Sequence, residues 1–305
     1  MATDPLSDIL RLTEARTVMA GGIAASGPWA LRFPPPGEIK FSVLARGSCE
    51  MRLEGQKRVL RGEPGDVLLL PGRQGFVVGS SLKVPPRDAL PFFARKQGPL
   101  SIIGEGTECL ILAGGVVLHP ASADLLRDAL PPVIHVKGSA PQAAIVRWIV
   151  EQLLEERART TPGTEIAASA LAQLLFVQVL RAHLATAPSL PAGWLRAVHD
   201  ERLAAALRRM HDAPSRDWKL QELAKAAAMS RTTFATHFKR AAGMAPLQYL
   251  ARWRMRLAQR QLRDEDAAVS EIAASLGYSS ESAFSQAFKR VTGVRPRDYR
   301  EEARR

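Results

Sequence analysis

The 305-residue sequence predicts an α+β multidomain chain: an N-terminal antiparallel β-barrel with a helical pair, then a C-terminal all-α domain of two helix-turn-helix units. Three observations predict it. Between about Ile39 and Leu112, short runs rich in β-branched and aromatic residues alternate with turn residues. Beyond Gly193 the apolar spacing is wholly helical. Within that helical stretch one motif is written twice, so that Phe234, Phe238, Lys239, Arg240, Gly243, Pro246 and Tyr249 each meet their own residue type again 50 positions later. The boundaries expected are a barrel and dimerisation domain over 1–186, a linker over 187–199 and the helical domain over 200–305.

The β-rich runs are Phe41 to Leu44, Cys49 to Leu53, Val67 to Leu70, Phe76 to Val78 and Cys109 to Leu112. Pro85, Pro86 and Pro91 interrupt the stretch from Gly79 to Gly98, which reads as a long loop. A helix from Gln142 to Arg157 then places Ile145, Trp148, Ile149 and Leu153 on one stripe. The next helix, Glu165 to Leu184, is apolar on more than one side and so needs two partners. One is the barrel with its sister helix; the other is either more of the same subunit or the same helix of a second copy. Ala187 to Gly193, with Pro188 and Pro191, reads as the linker.

Helices marked by Leu203, Leu207 and Met210, and by Leu220, Leu223 and Ala224, precede the first copy of the motif, which spans Arg231 to Ala242. Pro246 opens a longer helix to about Gln261, rich in arginine at 252, 254, 256 and 260. Val269 to Leu276 and Ser280 to Val291 repeat the pair, and Tyr299 closes the domain, giving seven helices.

Charge favours an anionic partner for this half. Net charge is +12; from Asp200 onward 21 Lys/Arg face 13 Asp/Glu, a surplus of 8, which leaves 4 for the first two thirds. A basic excess on the domain with the repeated helices suits phosphate neutralisation. Burial of Phe234 and Phe238, each worth on the order of 1.5–3 kcal/mol, turns Thr232, Ala235, Thr236 and Lys239 outward. The same logic buries Phe284 and Phe288 and turns out Ser282, Ser285, Gln286 and Lys289. Gln286 is the best candidate for base reading, because its amide can both donate to and accept from adenine. The short side chains suit close approach, with Ser230 and Ser280 at the helix starts, while Arg231, Lys239, Arg240, Lys289 and Arg290 suit phosphates.

Trp218 to Tyr299 closely resembles the DNA-binding domain of the AraC/XylS transcription regulators. The carriers are Leu223-Ala224, Met229-Ser230-Arg231, Phe238-Lys239, Gly243-Met244-Ala245-Pro246, Ile272-Ala273, Gly277-Tyr278, Phe284, Phe288-Lys289-Arg290, Gly293 and Pro296. Two residues depart from the family habit of arginine on the reading helices: Thr236 and Gln286. The resemblance implies two helices entering successive major-groove segments of promoter DNA about 34 Å apart, with some bending of the duplex. It also implies contact with RNA polymerase, a homodimer, and activation or repression of transcription.

The first domain resembles the cupin-type sensor found ahead of this module. Gly27-Pro28-Trp29-Ala30, Gly47-Ser48-Cys49, Gly65-Asp66 through Pro71, and Leu125-Leu126 with Leu130 through His135 carry that likeness. Where metal cupins place histidines, this chain has Lys40, Ser42 and Phe76, so no metal, no cofactor and no catalytic residue is expected. Trp29, Phe33, Lys40, Phe41 and Phe76 either line an effector pocket or fill a solid core. Cys49 and Cys109 are either a redox pair or buried inert thiols. A DNA-repair alkyl acceptor built on the same module would need a cysteine cluster, which two distant cysteines do not supply. The start of the chain lacks a basic leader, and no run reaches the ~18 apolar residues of a membrane span, so a cytoplasmic protein that keeps off membranes is expected.

Overall fold

The computed structural model describes residues 4–94, 100–140, 143–158, 161–186 and 190–303. Eleven strands are described: β1 (Arg16–Ala25), β2 (Ala30–Phe33), β3 (Ile39–Arg46), β4 (Cys49–Leu53), β5 (Leu60–Gly62), β6 (Val67–Leu70), β7 (Phe76–Gly79), β8 (Arg87–Asp88), β9 (Leu100–Ile103), β10 (Cys109–Val117) and β11 (Ile134–Val136). The first five helices are α1 (Pro5–Leu12), α2 (Ala89–Ala94), α3 (Pro120–Arg127), α4 (Ala144–Ala158) and α5 (Thr164–Thr186). The remainder are α6 (Trp194–His199), α7 (Ala204–Asp212), α8 (Leu220–Ala226), α9 (Arg231–Ala242), α10 (Pro246–Asp264), α11 (Val269–Ser275), α12 (Glu281–Thr292) and α13 (Pro296–Ala303). They form two compact units. One comprises Ala15–Leu118 with the chain from Leu130 to α5; the other comprises the residues up to Glu14, His119–Ala129 and the chain from Leu190 on.

In the β-rich unit a six-stranded sheet, ordered β11-β6-β3-β10-β1-β9, accompanies a five-stranded sheet, ordered β5-β4-β7-β2-β8. Pairing is antiparallel except for β1 with β9 and β2 with β8. Both sheets contribute to one apolar core that includes Trp29, Leu31, Leu44, Met51, Leu68, Leu70, Phe76, Val78 and Ile111. The sequence reading missed β1, the longest strand. Its Ala-Gly-Gly run dilutes the β signal, yet Gly22 has a backbone oxygen, that of Ile111, where a Cβ would stand, so only glycine admits this approach of β10. The expected loop from Gly79 to Gly98 instead holds β8 and α2, and its last residues from 95 lie outside the described ones.

Asp66, from the Gly-Asp turn before β6, is the polar hub of this unit. Its carboxylate accepts from His135 Nε2 at 2.7 Å, Lys137 Nζ at 3.0 Å, the Gly138 amide at 2.8 Å and the Glu63 amide at 3.2 Å. Burial pushes the carboxyl up, but these hydrogen bonds outweigh burial and hold it below the usual carboxylate value. On α4 the expected stripe is divided: Ile149 and Leu153 are buried with Val146 and Val150, whereas Ile145 and Trp148 stay exposed. Gln142, the expected start of that helix, lies outside the described residues. Helix α5 has the length and apolarity that a membrane span needs, which the count of uninterrupted apolar residues did not register. It packs on the sheet through Gln173, whose side chain accepts from Thr17 Oγ1 at 2.8 Å and donates to the Ala15 carbonyl at 3.0 Å.

The helical unit is larger than 200–305. Segment 194–199, expected within the linker, is helix α6 with Trp194, Leu195 and Ala197 buried; 187–189 lie outside the described residues. Helix α1, capped by Asp4 and started by Pro5, buries Leu6, Ile9 and Leu12 in this unit. Asp8 meets His211 Nδ1 at 3.1 Å, and the other ring nitrogen of His211 meets the Tyr249 hydroxyl at 2.9 Å. Helix α3 is held by Trp194 Nε1, which donates to the Leu125 carbonyl at 2.6 Å, and by Arg256, which donates to the Ala121 carbonyl at 3.1 Å. The bonds that hold α1 and α3 join residues at least 69 positions apart, beyond the reach of local periodicity.

Candidate nucleic-acid interface

Each helix-turn-helix unit begins with a short helix whose first turn is closed from within. Glu222 accepts the Lys219 amide at 2.8 Å at the start of α8, and Glu271 accepts the Ala268 amide at 2.9 Å at the start of α11. A turn follows with one residue in the left-handed region: Ala228 at φ 51° in the first copy, Gly277 at φ 80° in the second. Ser230 and Ser280 then cap α9 and α12, their hydroxyls accepting the Thr233 amide at 3.2 Å and the Ala283 amide at 3.1 Å. The second reading helix therefore starts at Glu281, with Ser280 as its cap outside the helix. Both helices end at a left-handed glycine, Gly243 and Gly293.

The repeat is not uniform along its length. Helices α8 and α11 begin 49 positions apart, whereas α9 and α12 begin 50 apart, because the second turn holds one residue more.

The buried faces coincide. Phe234 and Phe238 pack with ring centroids 5.6 Å apart, and Phe284 and Phe288 at 5.7 Å; all four are fully buried. Tyr249 closes edge-on against Phe238 at 5.6 Å and Tyr299 against Phe288 at 5.5 Å. The outer faces coincide too: Thr232, Thr236, Lys239 and Arg240 are exposed with Ala235 half-buried, and Ser282, Gln286, Lys289 and Arg290 are exposed with Ser285 half-buried. Arg231 is exposed at the start of α9, where the second copy has Glu281.

One difference lies within reach of these faces. His237 Nε2 meets Asp200 Oδ2 at 2.6 Å and its Nδ1 meets Arg240 Nη2 at 2.9 Å, so Arg240, expected on phosphate, is also engaged inside the protein. Ala287 occupies the equivalent place in α12, so Arg290 has no such tether. The sequence reading did not find this chain, since nothing in the spacing joins Asp200 to His237.

The other expected sites fare differently. Trp29 and Phe76 are members of the apolar core, and Phe33 stacks on Phe76 at 4.6 Å. Phe41 falls on the opposite face of β3 from the core residue Leu44, with its ring over Gly114. Lys40 is paired with Glu38. The five residues thus do not share one wall. Cys49 and Cys109 are buried free thiols; burial pushes Cys49 up to about 12 and raises Cys109. Among the described residues no group of three metal-ligating side chains comes together.

Comparisons with known proteins agree with this architecture. The cupin family model matches residues 4–185, and a helix-turn-helix domain model matches 223–302. A protein of Streptomyces lividans described as an AraC-like transcription regulator is 39% identical over 97% of this chain and 98% of its own length. The HTH-type transcriptional regulator AlkR of Acinetobacter baylyi is 28% identical over 92% of this chain and 94% of its own. Among solved structures, the DNA-binding domain of AdpA, a global transcriptional factor, in complex with a target DNA, is 34% identical; the match covers 34% of this chain and 95% of that one, at a TM-score of 0.33. The chain belongs to the AraC-like transcription regulators, DNA-binding proteins that here join a cupin domain to an AraC-type helix-turn-helix domain.

Proposed function

We propose that α9 and α12 are the two reading helices and that they read unlike halves of one directional promoter site. The observation that carries this is the shared burial pattern of the two helices beneath different outer residues. Thr232, Ala235 and Thr236 approach one half by methyl and short polar contacts; Ser282, Ser285 and Gln286 read the other, with Gln286 suited to adenine. Arg231, Lys239, Lys289 and Arg290 neutralise phosphates, and Ser230 and Ser280 present helix N-termini to the backbone. In a salt titration of DNA affinity, Lys239→Ala with Lys289→Ala should reduce the slope of log K against log salt by about 2. An unchanged slope would remove these lysines from the interface.

The protein acts as a homodimer in this proposal, without catalytic activity, in the cytoplasm, and passes its signal to RNA polymerase. Helices α4 and α5 support the dimer: Ile145, Trp148, Ile166 and Leu174 are exposed, Ile166 at 79%. Sedimentation should show a dimer for the native chain and a monomer for Trp148→Glu with Ile166→Glu; a dimer in both would place the interface elsewhere. A small-molecule signal to the cupin domain would reach it at the half-buried Phe33 and Phe93, whose rings lie 5.8 Å apart.

A further inference from the structure

The helical unit holds an open cavity of about 420 Å³. That volume lies in the range of small-molecule sites. Its walls are Leu125 of α3 and Ala129 just after it, Ala192 to Leu195 before and within α6, the Gly243–Met244 end of α9, and Tyr249, Trp253 and Arg256 from α10. All of these belong to one compact unit.

Polar groups are unevenly placed around it. Asp124, Asp128 and Arg252 line it from exposed positions, and the charges of Asp124 and Arg252 act on Arg256 in opposite senses. Arg256 is half-buried; its Nη1 donates to the Ala121 carbonyl at 3.1 Å and to Gln259 Oε1 at 3.3 Å, which leaves most of a five-donor fork for another acceptor. Trp253 is 6% exposed, and its indole N–H is buried with no hydrogen-bond partner. Buried donors are ordinarily satisfied, and this one is an exception on a residue that lines the cavity. Trp194 and Tyr249 add aromatic surface, while their own polar atoms are already bonded to Leu125 and His211.

We infer that this cavity is a ligand site for a small amphipathic anion, with an apolar or aromatic body against Trp194, Tyr249 and Trp253 and its anionic group toward Arg256. Nothing in the folding of the two helix-turn-helix units requires the void, and its wall includes the left-handed cap of the first reading helix. A ligand here would therefore lie directly behind α9, within the DNA-binding unit itself. The inference does not depend on which residues of α9 touch bases.

The test uses the full-length chain and two probes of nearly the same shape: 8-anilinonaphthalene-1-sulfonate, an aromatic anion, and N-phenyl-1-naphthylamine, its uncharged counterpart. The anion should bind saturably at one site per chain and quench tryptophan emission. Ala192→Phe, at an exposed position on the wall, should weaken both probes at least tenfold; Arg256→Gln should weaken the anion at least tenfold and the neutral probe less than threefold. Circular dichroism of each variant confirms the fold, and Ala192→Phe carries the test if Arg256→Gln unfolds. Failure of the anion to saturate, or equal binding by the native chain and Ala192→Phe, overturns the site. Equal weakening of both probes by a folded Arg256→Gln overturns the assignment of the anionic group.

Discussion

The two helix-turn-helix units are built on the same buried plan and secured to the rest of the protein in different ways. In the first, Tyr249 gives its hydroxyl to His211, which also meets Asp8 of α1 and stacks on Trp253 at 4.0 Å. Burial, together with the nearby Asp8 charge, raises the Tyr249 phenol well above its ordinary value, so it stays protonated. In the second, the equivalent Tyr299 hydroxyl is buried without a partner. The first reading helix is further tied through His237 to Asp200, and the second carries Ala287 there. A duplicated fold has thus kept its apolar core and let its polar attachments diverge. The first unit is anchored by this polar chain; the second packs Phe284, Phe288, Tyr278 and Tyr299 with Met255, Leu262 and Ile272.

The turns offer the sharpest way to break the comparison. Gly277→Ala would put a Cβ 2.0 Å from the Ser215 carbonyl oxygen at a positive φ, and should cost about 2 kcal/mol or more of unfolding free energy. Ala228→Gly, in the matching turn, relieves a left-handed alanine against a gain in unfolded-chain entropy, and should change stability by less than about 1 kcal/mol in the favourable direction. Urea denaturation of both variants checks the pair; equal losses would mean that the turns are equivalent.

A smaller contrast separates the tyrosines. Tyr249→Phe strands a buried nitrogen of His211 and should cost about 1–2 kcal/mol, whereas Tyr299→Phe removes a hydroxyl that already lacks a partner and should be neutral or slightly stabilising. Thermal unfolding of the two variants side by side would show the difference, and equal losses would deny the first unit its anchor.

Much of the second half was legible because its signals are local. Phe pairs at i, i+4, a capping serine and a closing glycine specify each reading helix to within a residue, and the alternation of buried and exposed positions follows from helix geometry. The additions to the unit were not legible. Asp8 finds His211 and Leu125 finds Trp194 only through tertiary packing, and Pro and Gly around Trp194 disguised α6 as linker. In the β-rich unit β3, β4, β6, β7 and β10 were found, whereas glycine-rich β1 and the shorter β2, β5, β8, β9 and β11 were missed. The aromatic set proposed for an effector divided because strand alternation sends Phe41 and Leu44 to opposite faces, a consequence readable only once the core-facing side of β3 is known.

The central claim is that one architecture presents two different reading surfaces. Selection from randomised duplexes, with base preferences measured for the native chain, Gln286→Ala and Thr236→Ala, tests it most directly. The account predicts a bipartite, non-repeating site in which Gln286→Ala relaxes preference by about 1–3 kcal/mol at one position of one half only, while Thr236→Ala leaves that half untouched. Two identical half-sites for a single subunit, or a Gln286→Ala protein that loses preference equally in both halves, would contradict it.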